Sequence, residues 1–154
     1  MYSPSRKKGN IAEDIVISHL KNIGFHILDR NYLKKWGEID IVAEKSQKIH
    51  FIEVKSSIIR NTNNFIKTHD DGSWKIYVLN DSEAVSRETS ITVNPVWNMT
   101  KNKKMRFSRI ITTYLADKYR DNMPDFQVDL ISALLDFYGK LAYISRIENI
   151  LLDS

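Results

Sequence analysis

Cysteine is absent from the 154-residue sequence, so neither a disulfide framework nor a thiolate metal site can form. That absence suits a reducing compartment. Apolar residues nowhere continue long enough to span a bilayer. The N-terminal MYSPSRKKGNIAED has the basic residues of a signal peptide but not the apolar run that should follow them. A cytoplasmic protein without membrane association is expected. There is no glycine-rich phosphate loop, no Ser/His/Asp set, no internal repeat and no low-complexity tract. The histidines His19, His26, His50 and His69 stand singly. His19 falls on an apolar helix face and reads as a core or boundary residue, while His69-Asp70-Asp71-Gly72 reads first as a turn.

What is present fits one soluble globular domain over 1–154, with 42% hydrophobic and 27% charged residues. The net charge is only +4, but cations cluster. Arg6-Lys7-Lys8, Arg30 with Lys34-Lys35, and Lys101, Lys103, Lys104, Arg106 and Arg109 form three concentrations that suit a polyanionic partner. Trp36 beside Lys34-Lys35 is the tryptophan best placed to stack on a base.

The order of elements is mixed α/β. Residues 10–23 put Ile11, Ala12, Ile15, Val16, His19, Leu20 and Ile23 on one helical face, and Gly24 ends the helix. Glu13 falls at the margin of that stripe; Asp14 falls opposite it and should face water. Strands are predicted over 25–32, 38–44 and 49–55, with Leu33–Gly37 as a turn. Residues 58–98 are polar punctuation around two short strands, 74–79 and 90–93. A helix from Thr100, as N-cap, to Asp117 buries Phe107, Ile110, Ile111, Tyr114 and Leu115. Two further strands, 126–136 and 140–147, and a short C-terminal helix complete the pattern.

The stretch GEIDIVAEKSQKIHFIEVK, residues 37–55, carries charges inside two strands. If Ser46-Gln47 is the tip of an antiparallel hairpin, Asp40 faces Glu53 and Glu38 faces Lys55. Alternation then puts these four on one face, with Ile39, Ile41, Ile52 and Val54 on the other. Opposed carboxylates repel, and a divalent metal ion is the expected remedy, since hard oxygen ligands suit Mg²⁺ or Mn²⁺. His50 lies on the face away from the acids.

Asp40 with Glu53-Val54-Lys55 resembles the D…ExK signature of the PD-(D/E)XK, restriction-endonuclease-like nucleases. More of the chain resembles the YraN-type family of predicted endonucleases. The matching residues are Gly9, Glu13, Gly24-Phe25, Arg30-Asn31, Gly37-Glu38-Ile39-Asp40 and Phe51-Ile52-Glu53-Val54-Lys55, followed by a helix with Lys103 at the family's lysine position and by FQVDLI. Ala12 replaces the family's glycine, Ser57 its arginine, and the segment 58–98 is an atypical insertion. The resemblance implies a restriction-endonuclease-like α/β fold, a mixed sheet flanked by helices. It implies Mg²⁺- or Mn²⁺-dependent hydrolysis of DNA, with Asp40, Glu53, the Val54 carbonyl and Glu13 on the metal and Lys55 at the transition state. Lys34, Lys35, Trp36, Lys101, Lys103, Lys104 and Arg106 are the expected DNA contacts. Holliday-junction resolvases use a similar helix glutamate, so branched or single-stranded DNA and a homodimer are the expectation by analogy. The open alternative is a module of the same fold that binds nucleic acid without cutting, which Ser57 and the insertion favour.

Overall fold

The computed structural model describes residues 4–58, 73–79, 99–137 and 140–152. They form α1 (Pro4–Asn22), β1 (His26–Lys34), β2 (Gly37–Lys45), β3 (Lys48–Ile58), β4 (Lys75–Leu79), α2 (Lys101–Tyr119), β5 (Phe126–Asp136) and β6 (Leu141–Ile147). The strands make one mixed six-stranded sheet in the order β1-β2-β3-β5-β6-β4. β1, β2 and β3 are successively antiparallel, whereas β4 runs parallel to β6. Mixed sheet and helices together are an α/β fold consistent with the restriction-endonuclease-like expectation.

The chain divides into two compact units, and the division falls within β3 and β5. One unit holds α1 to His19, β4, β6 and the parts of β3 and β5 from Val54 and Ile131 onward. In it α1 buries Ala12, Ile15 and Val16. Glu13 is half-buried and Asp14 exposed, as the helical period requires. His19 is half-buried; burial first, and then the nearby Arg146 charge, hold its pKa below the usual histidine value. β4 and β6 pair from Lys75 with Leu141 to Leu79 with Ser145, and Tyr77 stacks on Tyr143 at 5.5 Å.

The other unit holds β1, β2, α2 and the parts of β3 and β5 up to Glu53 and Leu130. Its core joins Ile39, Val42, Ile49 and Phe51 of the hairpin to Phe107, Ile110, Ile111, Tyr114 and Leu115 of α2. Those α2 residues are the ones the sequence period selects. Gly24 takes φ +92° after α1, where Phe25 N–H donates to Leu20 O at 2.9 Å and Gly24 N–H to Lys21 O at 3.1 Å. This is a Schellman-type stop, and the positive φ favours glycine there.

Several expectations are corrected. Ile23 lies beyond the end of α1 and is 39% exposed rather than part of the apolar stripe. The turn before β2 is only Lys35-Trp36, because β1 runs to Lys34 and β2 begins at Gly37. Residues 148–152 form no helix. The hairpin does not divide into an apolar and an acidic face, because Ile41, Val42, Ala43, Ile49, His50, Phe51 and Ile52 are all buried. Successive residues point to opposite faces of a strand, so burial of such a run means that both faces are removed from water there. α2, packed on β2, covers one of them. The strand expected at 90–93, His69, and most of the 58–98 insertion lie outside the described residues.

Asp129 of β5 is fully buried, although the sequence marks it only as a charge in an apolar strand. His50 Nδ1 lies 2.8 Å from its Oδ2, and its Oδ1 accepts from Gln127 Nε2 at 2.8 Å and Asn149 N–H at 3.0 Å. His50 is thus tied to a polar knot of its own, and Phe25 meets its ring edge-on at 4.9 Å. Asp129→Ala strips the hydrogen-bond partner from His50, Gln127 and Asn149 at once. Each such loss costs about 1–3 kcal/mol, so a total of about 3 kcal/mol or more is expected in urea unfolding. A loss below about 0.5 kcal/mol, the level of an ordinary surface substitution, would show that the knot does not hold the unit together.

Candidate functional site

The β2–β3 tip sets the geometry of the acids. Ser46 and Gln47 both adopt positive φ, 52° and 64°, as a two-residue I′-type hairpin turn demands. Neither is glycine or asparagine, so each left-handed residue costs about 1–2 kcal/mol. The pairing that follows runs from Lys45 with Lys48 to Ile41 with Ile52. Asp40 and Glu53 are the next residues on their strands, as the sequence register requires.

Asp40 and Glu53 line one cleft of about 440 Å³, together with Gly37, Glu38, Thr100, Asn102, Lys103, Arg106, Phe107 and Ile110. The acids come from the two paired strands. The opposite wall is the N-terminal half of α2. Glu38, Asp40 and Glu53 therefore share the lining of the groove with the cations Lys103 and Arg106.

α2 is unusual at its start. No acid occupies its first turn, while Lys101, Lys103, Lys104 and Arg106 crowd the end where the helix dipole is already positive. Thr100 caps it, its Oγ1 accepting from Lys103 N–H at 3.3 Å and its carbonyl from Lys104 N–H at 3.0 Å. The Lys103 ammonium reaches across the cleft and donates to Glu53 Oε1. The Glu53 side chain is only 12% exposed and Lys103 46%, so the carboxylate is the buried member of the pair. The counter-charge that the hairpin needs is thus supplied by a lysine 50 residues away in sequence.

The other expected DNA contacts are distributed around α2 and the β1–β2 turn. Lys35, Lys101 and Arg106 are exposed and Lys104 half-buried. Lys34 sits 3.2 Å from Asp117 Oδ2 and 5.2 Å over the Tyr32 ring, and Tyr32 also donates to Asp117. The Tyr32 hydrogen bond and Lys34 hold the Asp117 carboxyl below the usual carboxylate range, and Asp117 in turn raises the Lys34 pKa. Lys34 is therefore already committed to a carboxylate. Trp36 is 43% exposed, and its indole N–H donates to Thr113 Oγ1 of α2 at 3.3 Å.

Glu13, Val54 and Lys55 belong to the other compact unit, Glu13 on α1 and the other two on β3 immediately past Glu53. Among the described residues no three acidic or histidine side chains converge as a ready metal cage. Two carboxylates opening on a cleft of this size still fit a hydrated divalent ion. Mg²⁺ in particular binds through one or two carboxylates and keeps several waters.

The profile of the uncharacterised protein family UPF0102 matches residues 12–72, which include both Asp40 and Glu53. A UPF0102 protein of Helicobacter pylori is 31% identical over 142 residues, 92% of this chain and 91% of its own length. The chain belongs to the UPF0102 family. This is the YraN-type family that the sequence motifs resemble. A Campylobacter hominis member is also 31% identical over 142 residues, covering 92% of this chain and 94% of that one. Higher identity is local. A Helicobacter hepaticus member is 54% identical over 52 residues, 34% of this chain and 47% of its own length. The chain thus spans about half the length of the relatives it matches at that level. Their names give the family and no activity.

Gly37 decides how closely α2 can approach the acids. A Cβ there would lie 3.3 Å from Ile110 Cβ and 3.6 Å from the Arg106 carbonyl oxygen. Neither atom can swing aside by a side-chain rotation. Gly37→Ala should push α2 outward and cost about 1–3 kcal/mol, the usual range for overpacking. Thermal unfolding measures it, and an unchanged or raised Tm would show that α2 has slack at this contact.

Proposed function

We propose that this chain is a divalent-metal-dependent endonuclease acting on DNA. One observation carries the reading: Asp40 and Glu53 both line a cleft whose other wall carries Lys103 and Arg106. Asp40 and Glu53 would hold Mg²⁺ or Mn²⁺, and the Val54 carbonyl and Glu13 are the further ligands that the family resemblance suggests. Such an ion, when bound, polarises a phosphodiester and lowers the pKa of a coordinated water. Lys55, two residues past Glu53 on β3, would orient the attacking water or stabilise the added negative charge of the transition state. Lys101, Lys104 and Arg106 would hold the phosphate backbone, with Lys34, Lys35 and Trp36 at the β1–β2 turn. Branched or single-stranded DNA and a homodimeric state belong to this proposal by analogy with junction resolvases. No helix among the described residues is long and apolar enough to cross a membrane. A cytoplasmic location, where DNA is at hand, is part of the same proposal.

The second reading is a nucleic-acid-binding module that does not cut. Two observations favour it. Glu53 is already paired with Lys103, and the exposed Ser57 stands where the family resemblance leads one to expect arginine.

Single-stranded, duplex and four-way-junction DNA, each incubated with Mg²⁺, Mn²⁺ or EDTA, separate the two. Cleavage in metal and none in EDTA is the expected result. Asp40→Asn and Lys55→Ala should each lower the rate by about 100-fold or more, the usual loss for a group acting at the transition state. Lys55→Ala should leave affinity nearly intact. Glu13→Ala should fail to cut, whereas Asp14→Ala should cut normally. Binding of all three substrates without cleavage in either metal makes the module reading correct.

Affinity itself should fall steeply with salt, because fewer counterions are released favourably. Replacing Lys101, Lys104 and Arg106 by alanine should reduce the slope of log K against log salt by about 2–3. An unchanged slope would move the contact surface away from α2.

A further inference from the structure

We propose that Lys103 is an exchangeable counter-ion: it neutralises Glu53 until a divalent cation takes its place, and the released ammonium then binds phosphate of the nucleic acid. The proposal rests on the nuclease reading for the identity of the partner, but the exchange is argued from the cleft alone. Glu53 is 12% exposed and lines the same cleft as Asp40, so a cation beside it is strongly favoured. Lys103 supplies that cation from a flexible stem on the far wall, and its own side chain is 46% exposed. Lysine is suited to such a role. Its ammonium is a point charge that can leave one oxygen for another without a fixed fork geometry.

Lys103 and Arg106 both line the cleft, and Lys103 is the one that reaches across it to Glu53. A metal ion that takes both Asp40 and Glu53 must break that tie. Once released, Lys103 joins Lys101, Lys104 and Arg106 at the start of α2, where the dipole and this group of cations together favour an anion. Metal binding therefore raises affinity for phosphate, and by linkage phosphate raises affinity for metal. Without metal, Lys103 contributes little to nucleic-acid binding, because Glu53 holds it.

Mn²⁺ titration of the full chain by calorimetry, with no nucleic acid present, reads the exchange whether or not DNA is ever cut. Lys103→Met removes the competitor and should tighten Mn²⁺ binding by about tenfold, within the usual range of coupling between sites. Arg106→Met, which removes a charge from the same cleft without touching the Lys103–Glu53 pair, should tighten it much less. A double-mutant cycle on oligonucleotide affinity in EDTA gives a second readout. Lys103→Met should change affinity little in the wild-type background but weaken it several-fold in Glu53→Gln, where the ammonium is released. Equal Mn²⁺ affinity in wild type and Lys103→Met overturns the exchange while leaving a metal site intact. Equal tightening by Arg106→Met also overturns it, since a general field would then account for the effect. If neither wild type nor Lys103→Met binds Mn²⁺, the metal-dependent reading fails and takes the exchange with it.

Discussion

The Glu53 carboxylate is the constraint on which the candidate site depends. Glu53 follows the Ile41–Ile52 pair on β3 as Asp40 precedes it on β2, and the Glu53 side chain is only 12% exposed. Two opposed carboxylates destabilise a strand pair, and burying either raises the cost. α2 has the converse problem, since its cations stand at its positive end without an acid in the first turn. The ion pair between Lys103 and Glu53 resolves both at once. It makes the hairpin depend on the helix and the helix on the hairpin. Gly37 permits the close approach, and Phe107 and Ile110 fill the floor between them.

Asp129 shows what a buried carboxylate looks like when its role is structural. Both of its oxygens are taken, one beside His50 and the other by two N–H donors, and no water-filled space is needed to satisfy it. Asp40 and Glu53 differ in kind. They open on a groove with room for ligands, and a half-exposed lysine partners Glu53. Saturation against openness separates the two settings more sharply than burial alone.

Local periodicity made much of this legible beforehand. The hairpin register followed from a two-residue tip, and the buried face of α2 followed from a 3.6-residue period. The same period distinguished Glu13 from Asp14. A glycine or asparagine was not needed at the hairpin tip, where Ser46 and Gln47 accept left-handed backbone because strong pairing on both sides imposes it. Long-range choices were not legible. The partner of Glu53 comes from a helix 50 residues away, and nothing in IHFIEVK distinguishes a lysine from a metal ion as its counter-charge. Asp129 was read only as part of the strand FQVDLI, because its ties to His50 and Asn149 depend on tertiary packing. The parallel pairing of β4 with β6 likewise joins segments far apart in the chain.

The family match takes in the acids of the cleft. The profile reaches residue 72 and so includes the acids, and the full-length relatives match over 142 residues, 92% of the chain. A structural hairpin would need its neutralising lysine as much as its carboxylates, because removing one member leaves a buried charge unpaired. A metal-binding hairpin needs the lysine only when the metal is away. Under the proposed exchange, a lysine or a divalent ion would satisfy Glu53, and the two would compete for its carboxylate. On that proposal the cleft would respond to metal, and the released ammonium would lie beside the other cations at the start of α2.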